Sequence, residues 1–171
     1  MESLKAKIRH VADFPKPGIL FYDITTLLRD RAGFAEAVTC LAEPYREQPI
    51  DVVVGIESRG FILGAAVADR LHRGFVPVRK PGKLPSRTVR ASYELEYGAD
   101  SLEIHDDAVE PGQRVLIVDD LLATGGTARA AVELIRRTGG HVQGLSFLIE
   151  LVALNGRSRI ENEQIFVALQ Y

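Results

Sequence analysis

Apolar positions along this chain follow two periods in turn, and the alternation sets the architecture. Asp51–Ile56, Arg114–Val118, Val142–Glu150 and Ile165–Leu169 are short apolar runs rich in β-branched residues, as expected of strands buried on both faces. Gly74–Val78 reads as a further short strand, placed near an edge by Pro77, which cannot donate to a ladder. Helical period takes over from Phe34 to about Arg46, over Gly60–Leu71, and from Thr127 to about Thr138, where Gly139 and Gly140 supply a C-terminal stop. Leu4, Ile8 and Val11 fall on one side of a short amphipathic helix over residues 4–11, while the prolines of Asp13–Gly18 make that stretch a loop. Residues 79 to about 110 read as irregular, except that Ser92–Gly98 alternates apolar and acidic positions like a half-exposed strand or hairpin arm. Strands alternating with helices predict an α/β fold, a mainly parallel twisted sheet with helices on both faces. In such sheets ligands gather outside the carboxyl ends of the strands.

Composition narrows the class. A chain of 171 residues, 46% hydrophobic and 26% charged, fits one soluble domain spanning residues 1–171. A net charge of −2 argues against nucleic-acid binding through a global field, so any polyanionic ligand must be held by local groups. The single cysteine, Cys40, excludes an intramolecular disulfide framework and lies in a helical pattern that makes it a small core residue. No apolar run approaches the roughly 20 residues that cross a bilayer, and the first residues lack a signal core. No membrane partner and a cytoplasmic setting are expected.

Candidate chemistry concentrates where the apolar run at 114–118 meets Asp119 and Asp120, followed by the small residues Ala123, Thr124, Gly125, Gly126 and Thr127. A strand-loop-helix junction of this kind aims several backbone N–H groups and a helix dipole at one point, which suits a phosphate. Carboxylates repel phosphate, so the two aspartates must serve something beside it; ribose hydroxyls, with or without a hydrated metal ion, are the natural candidates. Neither G-x-x-x-x-G-K-[ST] nor a G-x-G-x-x-G after a strand occurs. A second strand-to-helix turn, Glu57-Ser58-Arg59-Gly60, offers a fixed cation and donors at a helix start. Arg79, Lys80, Lys83, Arg87 and Arg90 then form a basic run without an acidic residue.

The aspartate pair with its small-residue loop resembles the phosphoribosyl-pyrophosphate (PRPP) loop of the type I phosphoribosyltransferases. With Glu57–Gly60, the segments Phe14–Phe21, Arg79–Pro85 and Leu95–Gly98 extend the similarity to the adenine-specific branch of that family, from about Ile8 to Tyr171. The resemblance implies transfer of phosphoribose from PRPP to adenine, giving AMP and pyrophosphate in purine salvage with Mg²⁺ as cofactor. It implies a mobile hood over about 79–110 and a base-binding segment over about 8–30. By carry-over, Asp119, Asp120 and Ala123–Thr127 hold the ribose and 5′-phosphate. Glu57, Ser58, Arg59, Lys80 and Lys83 hold the pyrophosphate, with Arg79 supplied by the neighbouring subunit of a homodimer. Leu20, Phe21, Tyr22, Arg59 and Leu151 surround adenine, and Glu96 (with Glu94 as competitor) handles the ring proton. No residue ligates the metal directly, which is bound mainly through PRPP and water. Two departures, Glu57 for a commoner Asp and Tyr22 for Arg, bear on affinity. Rivals are a transferase for xanthine, hypoxanthine or orotate, and a PRPP-sensing regulator of the same fold.

Overall fold

The computed structural model describes residues 2–95 and 98–171. Helix α1 (Glu2–Lys5) leads into an antiparallel pair, β1 (Arg9–Ala12) and β2 (Leu20–Asp23), and then into α2 (Thr25–Leu28) and α3 (Arg31–Ala42). The body continues as β3 (Val52–Ile56), α4 (Arg59–Leu71) and β4 (Gly74–Val78). An antiparallel pair, β5 (Thr88–Leu95) and β6 (Gly98–His105), precedes β7 (Arg114–Leu122), α5 (Gly126–Arg137), β8 (His141–Glu150) and β9 (Ile165–Gln170).

Five strands form one parallel sheet in the order β4-β3-β7-β8-β9. The chain leaves β3 toward β4 on one side and later returns through β7 on the other. Connections after β3 and β7 therefore diverge, and the crevice between them opens at the carboxyl ends of those strands. Fully buried Val53, Leu116 and Val118 pack with α3 and α4 on one face, whereas Val54, Val115 and Ile117 pack with α5 and the β5–β6 pair on the other. The expected parallel α/β sheet with both faces covered is present, as is Pro77 on an edge strand. Cys40 packs half-buried against the first of these cores, and burial pushes its thiol pKa up.

Three expectations are corrected. Residues 4–11 are not one helix: α1 stops at Lys5, and Arg9–Ala12 instead pairs with Leu20–Asp23. Leu4 and Ile8 still reach one core, so the apolar spacing reported burial and not helicity. Residues 79–110 are not mainly irregular, because Thr88–Leu95 and Gly98–His105 pair along their length, with Ala91 opposite Leu102 and Val89 opposite Ile104. Burial of Ala91, Leu102 and Ile104 against α5 stabilises that hairpin. Strand β7 also runs four residues past Val118, since β8 goes on pairing with it through Leu122 opposite Glu150. Asp119 and Asp120 thus lie inside a strand.

Tyr45, at the end of the 3₁₀ turn after α3, fixes that helix to the sheet. Its side chain is fully buried, and its hydroxyl donates to the Leu145 carbonyl at 2.9 Å. Burial pushes the phenol up to about 12, so it remains a donor at every pH the fold meets. Tyr45→Phe is expected to destabilise the protein by about 1 kcal/mol in urea denaturation, since it removes a donor without opening a cavity. A midpoint equal to that of the parent would mean that the Leu145 carbonyl is satisfied elsewhere.

Candidate active site

The crevice between the β3 and β7 connections holds a cavity of about 380 Å³ lined by Glu57, Ser58, Arg59, Lys80, Asp119, Asp120 and residues 121–128, with Leu102 of β6 as an apolar wall. The whole predicted phosphate loop, Ala123 to Thr127, lies on it. Gly125 caps α5 at φ 80°, and a Cβ there would collide with the Gly156 carbonyl; a Cβ on Gly156 would collide with the Ala123 carbonyl. The loop is therefore moulded against a second backbone segment, which leaves the start of α5 open toward the cavity for an anion. Glu150 holds that backing segment in place. Its buried carboxylate accepts from Arg157 Nε at 2.7 Å, Arg157 Nη2 at 3.1 Å and Gln170 Nε2 at 2.8 Å. Burial pushes Glu150 up, but these hydrogen bonds outweigh it and keep the group below the ordinary carboxylate range.

Asp119 and Asp120 are 8% and 6% exposed, so neither charge is well solvated. Arg59 Nε approaches Asp120 Oδ2 at 2.5 Å, while Asp119 Oδ1 accepts only a backbone bond, from Asp120 N–H at 2.9 Å. Burial, and then the neighbouring Asp120 charge, pushes the Asp119 pKa well above its ordinary value. The Arg59 guanidinium also faces the Phe21 ring, 5.3 Å from its centroid, and Phe14 meets Phe21 edge-on at 5.1 Å. Through Arg59 the base-binding segment on β2 adjoins the aspartate pair.

The Glu57–Ser58 peptide is cis. The Glu57 carboxylate points away from the loop of small residues and gathers the basic segment instead. It accepts from Arg79 Nε at 3.2 Å and Lys80 N–H at 3.0 Å, and it contacts Lys83 Nζ. Lys80 reaches the cavity while its ammonium contacts Asp100 and donates to the Tyr93 hydroxyl at 2.8 Å. Burial lowers the Lys80 pKa, but the Asp100 and Tyr93 contacts outweigh it and raise the pKa overall. Arg87 pairs with Asp106 and Arg90 with Glu103. Every cation of the basic run therefore has a carboxylate partner: Glu57 for two of them, Asp100 and Glu103 of β6 for two more, and Asp106 just beyond β6 for the fifth.

The cavity thus brings together Glu57, Ser58, Arg59, Lys80, Asp119, Asp120 and Ala123–Thr127. Arg79 and Lys83 stand behind its rim on Glu57. Phe21 joins through Arg59, whereas the Tyr22 ring turns away to stack on Tyr171 at 4.1 Å and His10 at 5.1 Å. Leu20 is 45% exposed, and half-buried Leu151 packs on the first core and donates its N–H to Leu122 O at 3.0 Å. Glu96 lies outside the described residues, as does the side chain of Glu94. Gly156, Asp100 and Glu103 escaped sequence reasoning. The last two had a signal, since acidic residues recur on the strand following the basic run.

Fold, crevice and phosphate loop define a phosphoribosyltransferase. The Phosphoribosyl transferase domain family matches residues 24–164. Adenine phosphoribosyltransferase of Acidobacterium capsulatum is 62% identical over 170 residues, covering 99% of this chain and 94% of the relative. The enzyme of that name from Rhodothermus marinus superposes with a TM-score of 0.95 at 55% identity, over 99% of this chain and 97% of the other. The Saccharomyces cerevisiae enzyme, solved with adenine and an imino-altritol bisphosphate, gives 0.93 at 42% identity, over 98% and 97%. The chain belongs to the adenine phosphoribosyltransferase family.

Burying Asp119 as an anion beside Asp120 costs stability that Asn would recover, because Asn keeps an oxygen for the Asp120 N–H. Asp119→Asn is expected to raise stability at pH 7.5 by on the order of 1 kcal/mol while lowering activity. A raised carboxyl pKa means that the folded state takes up a proton before the unfolded chain does. The wild type therefore regains the difference as pH falls through the Asp119 pKa, and the gain from Asn should shrink. Urea midpoints of both proteins over a pH series test this; a gain that changes nowhere in the series would contradict it.

Proposed function

We infer that this chain catalyses transfer of the 5-phosphoribosyl group from PRPP to adenine, giving AMP and pyrophosphate, the reaction of purine salvage. The observation that carries the inference is the shared cavity of the small-residue loop, the aspartate pair and the Arg59–Lys80 cations. A ribose-5-phosphate unit with a pyrophosphate on its anomeric carbon calls for those three kinds of group around one cavity.

In the reaction the adenine ring nitrogen forms a bond to the anomeric carbon as the bond to pyrophosphate oxygen breaks, and the base gives up a ring proton. Charge develops on the leaving pyrophosphate, so catalysis rests on fixed cations and on holding the sugar in line. Ala123, Thr124, Gly125, Gly126 and Thr127 would cup the 5′-phosphate, and Asp119 and Asp120 would accept hydrogen bonds from the ribose hydroxyls. The turn Glu57-Ser58-Arg59, with Lys80 and Lys83, would meet the pyrophosphate. In the homodimer we propose, Arg79 would reach the pyrophosphate of the neighbouring subunit. Phe21 would stack on adenine, with backbone groups of Leu20 and Tyr22 reading its edge and Leu151 and the Arg59 stem lining the opposite wall. Glu96 would accept the proton at N7.

Mg²⁺ fits this donor set as a substrate-bound ion. Among the described residues no group of three or more His, Cys, Asp or Glu could hold a metal, and Asp120 and Glu57 already face cations. Asp119 and Asp120 offer hard oxygens beside the cavity, which suits an ion held mainly by ligand oxygens and water. When bound, the ion would screen the pyrophosphate charge. No described helix is long and apolar enough to cross a membrane, and the proposed setting is the cytoplasm.

Incubation with adenine, PRPP and Mg²⁺ is expected to yield AMP, with hypoxanthine turned over far more slowly because its oxo edge leaves buried groups unpaired. Equal use of both bases would refute adenine selectivity. Glu96→Gln should lower kcat by about 100-fold with little change in PRPP affinity, whereas Asp120→Asn should weaken PRPP binding by about tenfold. Unchanged turnover in the Glu96 variant would move the proton to Glu94 or solvent.

A further inference from the structure

Glu103 of β6 is a buried carboxylate to which the reaction above gives no task. It is 4% exposed, and both of its oxygens are occupied. Oε1 accepts from Arg90 Nε at 2.9 Å and Nη2 at 2.6 Å, and Oε2 accepts from the Gly82 backbone N–H at 3.0 Å. Its backbone adds a reciprocal pair with Arg79: Arg79 N–H donates to Glu103 O at 2.9 Å, and Glu103 N–H donates to Arg79 O at 2.7 Å. One residue thus grips residue 79 by its backbone and residue 82 by its side chain. Lys80 lies between those two points and Lys83 follows immediately.

The turn needs such a grip. Pro81 removes a backbone donor within it, and Gly82 sits at φ +76°, with open space where a Cβ would be. Pro81, Gly82 and Lys83 are all exposed, so the turn depends on polar contacts to hold it. Glu57 binds Arg79, Lys83 and the Lys80 N–H, but its partners lie at the cavity rim, where a pyrophosphate would compete for them. Glu103 lies outside that competition: it faces Arg90, which Arg137 of α5 supports through a 2.5 Å bond to the Arg90 carbonyl. Arg90 also holds the Glu103 carboxyl below the ordinary carboxylate range, so the anchor stays ionised at neutral pH.

We propose that Glu103 is a positioning residue for PRPP: it fixes the 79–83 turn on the hairpin so that Lys80 and Lys83 face the pyrophosphate position. The proposal rests on the cavity's being the PRPP site. Losing the carboxylate should free the Gly82 end of the turn, while the Arg79 backbone pair and the Lys80 contacts with Asp100 and Tyr93 remain. Lys83 and the turn before it are then less well placed, and binding of the pyrophosphate-bearing substrate weakens more than the chemical step.

The test compares wild type, Glu103→Ala and Glu103→Gln in steady-state kinetics and in limited trypsin cleavage after Lys83 without substrate. Glu103→Ala is expected to raise the KM for PRPP about tenfold, with kcat within about threefold and the KM for adenine within about twofold. Cleavage after Lys83 should be faster. Gln, with one acceptor oxygen where Glu has two, should give intermediate values for both. A parent-like KM for PRPP in the Ala variant would overturn the proposal. So would a loss in which kcat and both KM values worsen together with the thermal midpoint. If the Ala variant does not fold, the Gln variant decides, and parent-like KM and cleavage there overturn the proposal. A wild type that makes no AMP would remove the parent function, and equal cleavage rates would then overturn the anchor on its own terms.

Discussion

The connections after the paired strands β3 and β7 diverge and leave a crevice at their carboxyl ends, and two poorly solvated carboxylates within β7 stand beside it. Left alone, Asp119 and Asp120 would oppose both folding and the approach of any phosphate. Arg59, the first residue of α4, meets that constraint by reaching across the crevice to Asp120. The pair is useful because it is partly dry: the Asp120 side chain is 9% exposed, so the attraction is weakly screened, unlike that of a surface pair. Since Arg59 also faces Phe21, one side chain links β2, the aspartate pair and the turn after β3. For Asp119, burial and then the neighbouring Asp120 charge outweigh the attraction of Arg59, and its proton affinity rises. The site keeps one carboxylate compensated and the other poised.

The basic segment obeys the same rule of local compensation. A run of five cations in a chain of net charge −2 suggests an open positive field, yet each cation has a carboxylate partner, with Glu57 serving both Arg79 and Lys83. Two of these pairs are remote from the cavity, Arg87 with Asp106 and Arg90 with Glu103, and serve the hairpin. The others, on Glu57 and Asp100, lie at the rim. A phosphate arriving there would have to displace Glu57 or Asp100 from its cation, so the basic segment is not an open positive field.

What the sequence discloses follows from how local each feature is. Val52–Ile56, His141–Glu150 and Ile165–Gln170 were legible because strands covered on both faces are continuously apolar. The small-residue loop that lines the cavity was legible because its residues are contiguous. By contrast, Asp119 and Asp120 read as the end of a strand, since nothing local says that β8 is long enough to keep pairing past them. The β5–β6 pair was obscured by Pro81 and Pro85 before it and by charges interleaved with its few apolar positions. Its stability comes from α5, more than twenty residues further along the chain. The close contact of Gly156 with Gly125 leaves no trace in sequence at all, because it is a backbone-to-backbone approach across 31 positions. Glu96 rests on the Leu95–Gly98 resemblance alone.

These non-local contacts join the two ends of the candidate ligand site. Helix α5 begins at the phosphate loop, and its buried face, including Ala131, Leu134 and Ile135, carries Ala91, Leu102 and Ile104 of the hairpin. The lower half of the hairpin cannot swing without pulling those side chains out of a core that is essentially dry. Glu103 lies in that fixed half and bonds to the turn bearing Lys80 and Lys83. The loop of small residues and the lysine turn are therefore mounted, by different routes, on one helix. Their separation is set by packing, which is rigid, and not by the conformation of a surface loop.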